Sequence, residues 1–239
     1  WFSSTCSKKV RITLAEKGLE WESKHISLRK AQNLAPDYVK LNPMGVVPTL
    51  IHDGKVLNES NFIMEYLDEV FPNPPLTPPD AFERAQMRIW MDKCENRLHK
   101  NINIVSFIKQ SRFKRYEGLS DEEKEELYDK QPSLERRSIL RKRIENGVSE
   151  EEIKLAEDIV ATVLDEMEVR LQDRPWLCGD AVTLADISIA PFIERFEANK
   201  MPKLTDWVLR PHLGKWWQEI QKREAFKTGF YFTNPDAEV

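Results

Sequence analysis

The chain has 239 residues, 41% of them hydrophobic and 32% charged, a composition that suits one large or two small globular domains with buried cores. The net charge of −4 argues against nucleic acid as the main partner, because binding phosphates requires a basic surface. No apolar run approaches the roughly 18 residues of a membrane span, and no signal peptide precedes the first strand, so no membrane partner is expected. Three cysteines without metal-ligand spacing indicate a reducing, cytoplasmic location and no metal site.

The first segment, residues 2–18, is typical of a strand end, a polar turn and a helix. Its apolar residues repeat at helical spacing, and Gly18 stands where a C-terminal cap belongs. Ser4 and Cys6 fall at the helix N-terminus, where unpaired N–H groups and the helix dipole favour an anion. Ser4 can stabilise a thiolate there, or it can simply cap the helix. Because the chain begins with Trp1 inside the expected strand, we expect some native N-terminal residues to be absent from this sequence.

The segments that follow predict a small α/β domain over residues 1–71. Residues 72–80 contain five prolines, which block both helix and central strand, so this stretch is expected to be a stiff linker. The elements expected in the first domain are a strand over residues 19–26, a short helix over 36–41, a hairpin turning at Asp53–Gly54 and a helix from Ser60.

Residues 81–239 are expected to form an all-helical second domain. Ser120, Ser149 and Thr183 are each followed three positions later by an acidic residue, a pattern that predicts capped helix starts. Two apolar stripes predict further long helices. The stripes consist of Met87, Trp90, Met91, Cys94, Leu98, Ile102 and Val105, and of Leu155, Ile159, Val163, Met167 and Leu171.

Two features of the first domain suggest where a ligand binds. Pro48 directly precedes a predicted strand, and a cis peptide bond there would turn the Val47 backbone outward, where it can pair with a peptide-like ligand. Glu59 and Ser60 open a helix, so the N–H groups and the Ser60 hydroxyl form an anion site suited to a carboxylate. Together with Ser4, these features describe a short peptide with a free carboxylate and a thiol.

Four motifs in this order resemble the cytosolic glutathione transferase family. They are S-x-C-x-x-K-V-R near the start of the chain, N-P-x-G-x-V-P-T-L before the hairpin, E-S at the helix start, and G-D-x-V-T-L-A-D-I-S from Gly179 to Ser188. The proline-rich linker lies between the third motif and the fourth, and the resemblance covers essentially the whole chain. It implies a thioredoxin-like N-terminal domain, an all-helical C-terminal domain that forms the electrophile-binding cleft, and a homodimer.

The resemblance also implies roles for five residues. Ser4 falls on the position of the catalytic hydroxyl. Val47 falls on the residue that binds the cysteinyl backbone of glutathione, with Pro48 as its cis-proline. Glu59 and Ser60 fall on the residues that hold the γ-glutamyl group.

One position departs from the family pattern. Many members carry Gln or Lys directly before V-P, where the side chain helps to hold glutathione, whereas this chain has Val46. Arg29, Lys30 and Lys40 are candidates for holding the glycyl carboxylate instead, and each is also consistent with an ordinary solvated charge.

Cys6 has two interpretations. The S-x-C pattern resembles the zeta-like branch, which includes maleylacetoacetate isomerase and the reductive dehalogenase of chlorinated hydroquinones. In that dehalogenase the cysteine at this place resolves a mixed disulfide with glutathione. A helix N-terminus would depress the pKa of Cys6 and allow the same chemistry. The alternative is a small buried residue beneath the turn.

Residues 110–156 form a charged insert that is expected to present solvated helical faces. A similar insert occurs in bacterial glutathione-dependent β-aryl etherases, which makes this one a candidate for shaping or covering a substrate cleft. On the preceding helix, Met91, Glu95 and His99 are substrate-site candidates by position alone.

The resemblance implies an enzyme that takes glutathione as its co-substrate and directs the activated thiol at an electrophilic carbon of a small molecule. Specialised alternatives are β-aryl ether cleavage, reductive dehalogenation and maleylacetoacetate-type isomerisation. A non-enzymatic binding module of the same fold is a different class, but such modules tend to lose the activating hydroxyl or the Glu-Ser site, and this chain has both. A further alternative places Cys6 at the centre of thiol exchange.

Overall fold

The computed structural model describes residues 1–110 and 112–230, with the backbone alone at Arg112 and Arg115. Its N-terminal part is a small α/β domain. The elements are α1 (Thr5–Glu16), α2 (Pro36–Leu41), β1 (Thr49–His52), β2 (Lys55–Asn58) and α3 (Ser60–Val70).

The short helix, the hairpin and the third helix confirm the expectation from sequence. Strands β1 and β2 are antiparallel, with Thr49 opposite Asn58, and the turn between them is Asp53–Gly54 with both residues at positive φ. Helix α1 ends as its glycine predicts, because Gly18 takes the left-handed conformation at φ +64, where a residue with a side chain is strained.

Helices α1 and α3 pack on one another and create the core of this domain. Val10 and Leu14 from α1 meet Ile63 and Leu67 from α3, all of them buried. Near their N-termini the two helices are also joined by a hydrogen bond from Lys9 Nζ to Asn61, so the two helix starts lie side by side.

The strand predicted over residues 19–26 is wrong. This segment is irregular, and residues 2–3 ahead of α1 form a turn instead of a strand end. A strand requires a partner for its backbone N–H and C=O groups, and among the described residues the only sheet is the β1–β2 hairpin, which does not pair with this segment. Leu19 and Trp21 still pack against the apolar cluster of α1 and α3.

The second part of the described chain is helical, as expected. Its first helix is a continuous rod in which a π-helical segment (Cys94–His99) joins α4 to α5. The seven residues of the first predicted stripe are all buried along this rod. The helices are α4 (Ala81–Lys93), α5 (Lys100–Lys109), α6 (Asp121–Asp129), α7 (Leu134–Glu145), α8 (Glu150–Arg170), α9 (Leu184–Ala198), α10 (Pro211–Lys222) and α11 (Glu224–Phe230).

The second predicted stripe is confirmed in its C-terminal part and wrong at its start. Val163, Met167 and Leu171 are buried, whereas Leu155 is 61% exposed and Ile159 is only partly buried. The expected stripe used a strict four-residue spacing, which rotates about 40° around an α-helix at each step and drifts off the core. The side chains that do face the core are Ala156, Val160, Val163, Leu164 and Met167.

Capping boxes close the N-termini of α6, α8 and α9, as the sequence predicted. The box of α9 is the most buried. Asp186 accepts hydrogen bonds from the Thr183 N–H (2.9 Å) and hydroxyl (2.8 Å), the Leu177 N–H (3.0 Å) and the Trp216 indole (2.8 Å). Because each of these donors is satisfied by one carboxylate, Asp186 ties α9 to α10 and to the loop before α9.

The proline-rich segment 72–80 contains neither helix nor strand, yet it is firmly packed. Leu76 is buried; its N–H donates to Asp68 (2.9 Å) and its carbonyl accepts from Leu184 N–H (3.0 Å). The segment therefore connects the core of α3 to the start of α9. No helix within the described residues is both long and apolar enough to cross a membrane.

The charged insert contributes α6 and α7, which carry exposed ion pairs such as Arg141 with Glu125 (2.6 Å). It also reaches the first domain, since the Arg136 guanidinium donates to the Met44 carbonyl. A side chain at Gly45 would lie 3.1 Å from Pro132 of the insert, so the close approach of the two segments requires glycine there.

Candidate functional site

Ser4 is the N-cap of α1, and its Oγ accepts the Ser7 N–H at 3.2 Å. The N–H groups of Thr5 and Cys6 have no hydrogen-bond partner within the described part of the chain, and the first turn carries no acidic residue. The Ser4 hydroxyl keeps its hydrogen to donate elsewhere. Ser4 can therefore cap the helix and still donate a hydrogen bond to an anion. The positive end of the helix dipole also stabilises an anion at this place.

The Val47–Pro48 peptide bond is cis. The Val46 carbonyl ahead of it is held by the Tyr38 hydroxyl (2.7 Å) and the Asn42 amide (2.8 Å), which fixes the loop. Among residues 1–110 and 112–230, the Val47 N–H and C=O have no hydrogen-bond partner. An extended ligand can pair with these two groups as a further strand would.

The N-terminus of α3 is the second helix start in this region. Glu59 precedes it with φ +68 and ψ 108, a strained conformation for any residue but glycine, and its side chain caps nothing. Ser60 is buried, and the first N–H groups of the helix are directed away from the helical ladder. Asn61 joins this turn to α1, since it accepts from Lys9 Nζ at 3.2 Å.

A cluster of charged side chains lies beside the first turn of α1. Cys6 Sγ is 3.9 Å from both ring nitrogens of His99, and His99 Nδ1 is 2.7 Å from Glu95 Oε1. Lys9 Nζ is 3.7 Å from the other oxygen of Glu95, and Phe192 lies under the cluster, edge-on to the imidazole. These contacts join α1 to the π-helical segment of the following rod.

The pKa values in this cluster reflect the competition between burial and charge. Burial alone would raise the pKa of Cys6, but the positive charge and hydrogen bond of His99, helped by Lys9, lower it below its usual range. Burial would lower the pKa of His99, but the Cys6 and Glu95 charges raise it to about 10. The pKa of the Glu95 carboxyl falls to about 2 despite burial, because His99 and Lys9 stabilise its anion.

A cavity of about 420 Å³ opens next to the start of α1. Arg195 donates to the Ser3 carbonyl on its wall, and Lys8 pairs with Glu194 at 2.8 Å. Its lining combines two phenyl rings with two cations and one carboxylate, namely Phe2, Phe230, Lys8, Arg195 and Glu194, together with Ser3 and Ala198. A planar, partly anionic molecule suits such walls.

The structure brings some of the residues predicted from the sequence close together and places others elsewhere. Ser4 and Cys6 share one helical turn, Glu59 and Ser60 start the neighbouring helix, and Val47 lies in the loop that enters β1. Of the residues chosen by position alone, His99 contacts Cys6 and Glu95 contacts His99. Other candidates have different surroundings: Met91 is a core residue, Lys40 pairs with Asp37, and Arg29 lies over the Trp1 ring.

Sequence reasoning missed Lys9, whose side chain is fully buried in this cluster. Its signal was present, because Lys9 follows Cys6 by three positions and so shares its helix face. Its pKa is raised, since the anions around it outweigh burial.

Comparisons with known proteins agree with this architecture. Family models described as glutathione S-transferase, N-terminal domain, and glutathione S-transferase, C-terminal domain, match residues 3–70 and 132–219. Protein LigF of Sphingobium sp. (strain NBRC 103272 / SYK-6) is 32% identical over 232 residues, covering 94% of this chain and 88% of LigF. Glutathione S-transferase Z1 of Arabidopsis thaliana is 29% identical over 245 residues, covering 99% and 92%.

A solved structure extends the comparison to three dimensions. The crystal structure of β-etherase LigF from Sphingobium sp. strain SYK-6 matches with a TM-score of 0.81 and 31% identity over 93% of each chain. The two family models match in order along the chain, and the LigF structure matches over nearly its full length. The chain belongs to the glutathione S-transferase family, and glutathione is its co-substrate.

Proposed function

We propose that the protein binds glutathione in the N-terminal domain, converts its thiol to a thiolate at the N-terminus of α1, and directs the sulfur at an electrophilic carbon. The observation that carries this proposal is the helix start at Ser4, which offers a hydroxyl and two N–H groups that have no partner among the described residues, without any acidic residue in the first turn. The Ser4 hydroxyl donates a hydrogen bond to the sulfur and is not itself the nucleophile.

The hydrogen bond from Ser4 and the helix end together supply enough free energy to ionise the glutathione thiol. A free thiol has a pKa near 8.5, so only about 3% is thiolate at pH 7. Lowering that pKa by about 2 units requires roughly 2.7 kcal/mol in favour of the anion. A hydrogen bond to a charged sulfur supplies about 1.5–3 kcal/mol and the helix end about 0.3–1 kcal/mol. The helix start can therefore produce a nucleophile without a metal or a general base.

The rest of glutathione is assigned to two neighbouring groups. The Val47 N–H and C=O, presented by the cis bond to Pro48, pair with the cysteinyl backbone. Glu59 and Ser60 hold the γ-glutamyl group, with the carboxylate at the N-terminus of α3 and the ammonium on Glu59. Both assignments use groups that no described hydrogen bond occupies.

The electrophile is assigned to the cavity lined by Phe2, Phe230, Lys8 and Arg195. The phenyl rings suit an aromatic substrate, and the two cations stabilise negative charge that develops on a leaving group. Attack forms a carbon–sulfur bond while the bond to the leaving group breaks and its electron pair departs with it.

Conjugation assays test the role of Ser4. Purified protein is first retained on immobilised glutathione, and turnover is then measured with a chloro-dinitro-aromatic substrate. Ser4→Ala is expected to lose most turnover, whereas Ser149→Ala, which removes an equivalent helix cap from α8, is expected to keep it. Equal turnover in Ser4→Ala and the unmutated protein would contradict the proposal.

A second candidate is cleavage of a β-aryl ether by the same thiolate. Similarity to the β-etherase LigF over nearly the whole chain favours it, as does the insert that reaches the loop at Met44 through Arg136. In this reaction the sulfur displaces an aryl oxygen, the carbon–oxygen bond breaks, and the phenolate leaves. A panel of a β-aryl ether, a chlorinated hydroquinone and maleylacetoacetate separates this candidate from dehalogenation and isomerisation.

Assembly and domain limits follow the same family pattern. We propose a homodimer with domains at residues 1–71 and 81–239 joined by the linker 72–80. Phe62 on α3 and Phe82 on α4 are each 65% exposed, an unusual state for phenylalanine that supports burial in a partner subunit. Sedimentation of the unmutated protein beside Phe62→Asp tests the dimer, which the substitution is expected to weaken.

A further inference from the structure

The charged insert places an arginine against the loop that presents Val47. The guanidinium of Arg136, on α7, donates through Nη1 to the Met44 carbonyl, three residues before Val47 in the chain. Because three extended residues span at most about 11 Å, a short peptide that pairs with Val47 can reach this guanidinium. A ligand of the first domain therefore comes close to a cation of the insert.

The insert is seated closely enough to hold Arg136 at this loop. A Cβ built on Gly45 would lie only 3.1 Å from the ring of Pro132, and Gly45 has a φ of +56, which strains any residue with a side chain. Ser133 caps α7 and accepts the Arg136 N–H at 3.2 Å. Arg136 therefore extends from the capped first turn of a helix, next to the point of contact.

The loop does not need a charged side chain to keep its shape. Asn33 donates to the Gly45 carbonyl at 2.7 Å, and the Val46 carbonyl accepts from two further side chains of the first domain. The Met44 carbonyl carries no net charge, so a neutral donor would serve it as well as a guanidinium. The packing of the loop therefore does not account for the positive charge of Arg136.

Arg136 also has no carboxylate partner within residues 1–110 and 112–230. Three other basic residues of α7 each pair with a carboxylate, namely Arg137, Arg141 and Lys142. Arg136 is half-buried, and burial without a nearby anion lowers its pKa. A buried cation is normally paired, so an anion brought by a ligand would complete the surroundings of this guanidinium.

Glutathione brings an anion that has no partner in the site as assigned so far. The molecule carries two carboxylates, and the proposed function places the γ-glutamyl carboxylate at the start of α3. The second carboxylate belongs to the glycine, which directly follows the cysteine whose backbone pairs with Val47. Residues 41–51 contain no charged side chain, so the loop itself offers no counter-charge to this carboxylate.

We propose that Arg136 holds the glycyl carboxylate of glutathione, so that the insert in the helical domain completes the glutathione site. The guanidinium keeps its hydrogen bond to the Met44 carbonyl through Nη1 and offers its remaining N–H groups to the carboxylate oxygens, a pairing that suits its planar shape. Arg136 binds the co-substrate and takes no part in the reaction at the sulfur. The inference rests on the proposed function, because it assigns one further group of the same bound glutathione.

The other cations considered for this carboxylate have different surroundings. Lys40 pairs with Asp37 at 3.0 Å, and Arg29 lies over the Trp1 ring. Lys30 is exposed in the turn that precedes α2, and it is the competing residue that the experiment has to separate from Arg136.

The experiment measures, by titration calorimetry on the full chain, the binding of glutathione and of its glycinamide form, in which an amide replaces the glycyl carboxylate. The unmutated protein should bind glutathione about threefold more tightly than the glycinamide form, as expected for a solvent-accessible ion pair. Arg136→Gln should bind both forms equally, because glutamine keeps a donor for the Met44 carbonyl but carries no charge. Arg136→Glu should reverse the preference, since its carboxylate repels that of the glycine.

Steady-state kinetics provide a second readout, which separates binding from a general loss of structure. Arg136→Gln should raise KM for glutathione about threefold and leave kcat unchanged, because the lost ion pair is the same before and during the reaction. No side chain of α7 is buried, so the variant should unfold at the same urea concentration as the unmutated protein. An equal fall in kcat for both forms of glutathione, with no change in preference, would overturn the assignment.

Matched controls come from the same helix. Arg137→Gln and Arg141→Gln lose ion pairs with Asp129 and Glu125, both of which lie within the insert. Both variants should keep the preference for the carboxylate form. If Arg137→Gln loses the preference as fully as Arg136→Gln does, the effect comes from the overall charge of the insert, and the assignment to Arg136 is overturned.

The outcome for Lys30→Gln decides between the two remaining cations. This variant should keep the preference of the unmutated protein. A preference that is lost in Lys30→Gln but kept in Arg136→Gln would assign the glycyl carboxylate to Lys30 and overturn the inference.

Failure of this inference differs from failure of the proposed function. If the unmutated protein binds both forms with equal affinity and conjugation still depends on Ser4, the inference fails and the proposed function stands. If neither form binds and the protein is not retained on immobilised glutathione, the proposed function fails and the inference fails with it.

Discussion

Two helix starts in this molecule share a local pattern but have opposite surroundings. At the start of α9, the buried carboxylate of Asp186 accepts from Thr183, Leu177 and Trp216. At the start of α1, Ser4 accepts one N–H, the first turn has no acidic residue, and two N–H groups stay unpaired in the described chain. A helix start that carries its own anion is closed and structural, whereas one that lacks an anion is open to a ligand.

The largest expected effect is a loss of stability when the carboxylate at the start of α9 is removed. Asp186→Ala leaves several buried donors without an acceptor, so we expect a loss of about 3–5 kcal/mol in the free energy of unfolding, measured with urea. Asp173→Ala, whose side chain is 79% exposed, should change the stability by less than about 0.5 kcal/mol. Comparable small changes in both variants would contradict the structural role of Asp186.

The next largest effect is a loss of activity when the Ser4 hydroxyl at the start of α1 is removed. Ser4→Ala removes one hydrogen bond to a thiolate, about 1.5–3 kcal/mol, so kcat/KM should fall about 10- to 150-fold. The free energy of unfolding should fall by only about 1 kcal/mol, the usual cost of a lost N-cap. Ser149→Ala should show the same loss of stability with unchanged kcat/KM. A Ser4→Ala variant that loses stability but not activity would make Ser4 a cap alone.

A smaller effect is expected at the second open start. Ser60→Ala removes a neutral hydrogen-bond donor near the carboxylate site on α3, and its KM for glutathione should rise about 2- to 10-fold with little change in kcat. Ser138→Ala on the exposed face of α7 serves as the control. An unchanged KM in steady-state kinetics would remove Ser60 from the glutathione site.

The smallest effect tests the contact of the insert with the first domain. Arg136→Ala removes the hydrogen bond to the Met44 carbonyl, which lies in the loop before Val47. We expect KM for glutathione to rise by no more than about threefold, because the loop is also held through Val46. Arg141→Ala, which loses contacts with Glu125, Glu145 and the Tyr128 ring, all of them within the insert, should leave KM unchanged. A fall in kcat with unchanged KM in Arg136→Ala would place the insert at the electrophile instead.

The features that could be read from the sequence are those encoded within a few residues. The hairpin at Asp53–Gly54, the end of α1 at Gly18 and the capping box at Thr183 depend on local backbone chemistry, and all are present. The strand expected over residues 19–26 depends on a distant partner, which alternation of side chains does not reveal. The Cys6–His99 contact spans 93 positions, so composition and spacing alone gave only the position of each residue.

The central claim, that the start of α1 ionises the glutathione thiol through Ser4, is tested most directly by titrating bound glutathione. Ultraviolet thiolate absorbance of the glutathione complex would be followed against pH in a Cys6→Ala background, with the absorbance of the protein alone and of free glutathione subtracted, so that the difference reports the bound glutathione sulfur. We expect an apparent pKa about 2 units below the free value of about 8.5, and a return toward that value when Ser4→Ala is added. A bound thiol with an unshifted pKa, or one that stays lowered without the Ser4 hydroxyl, would contradict the account.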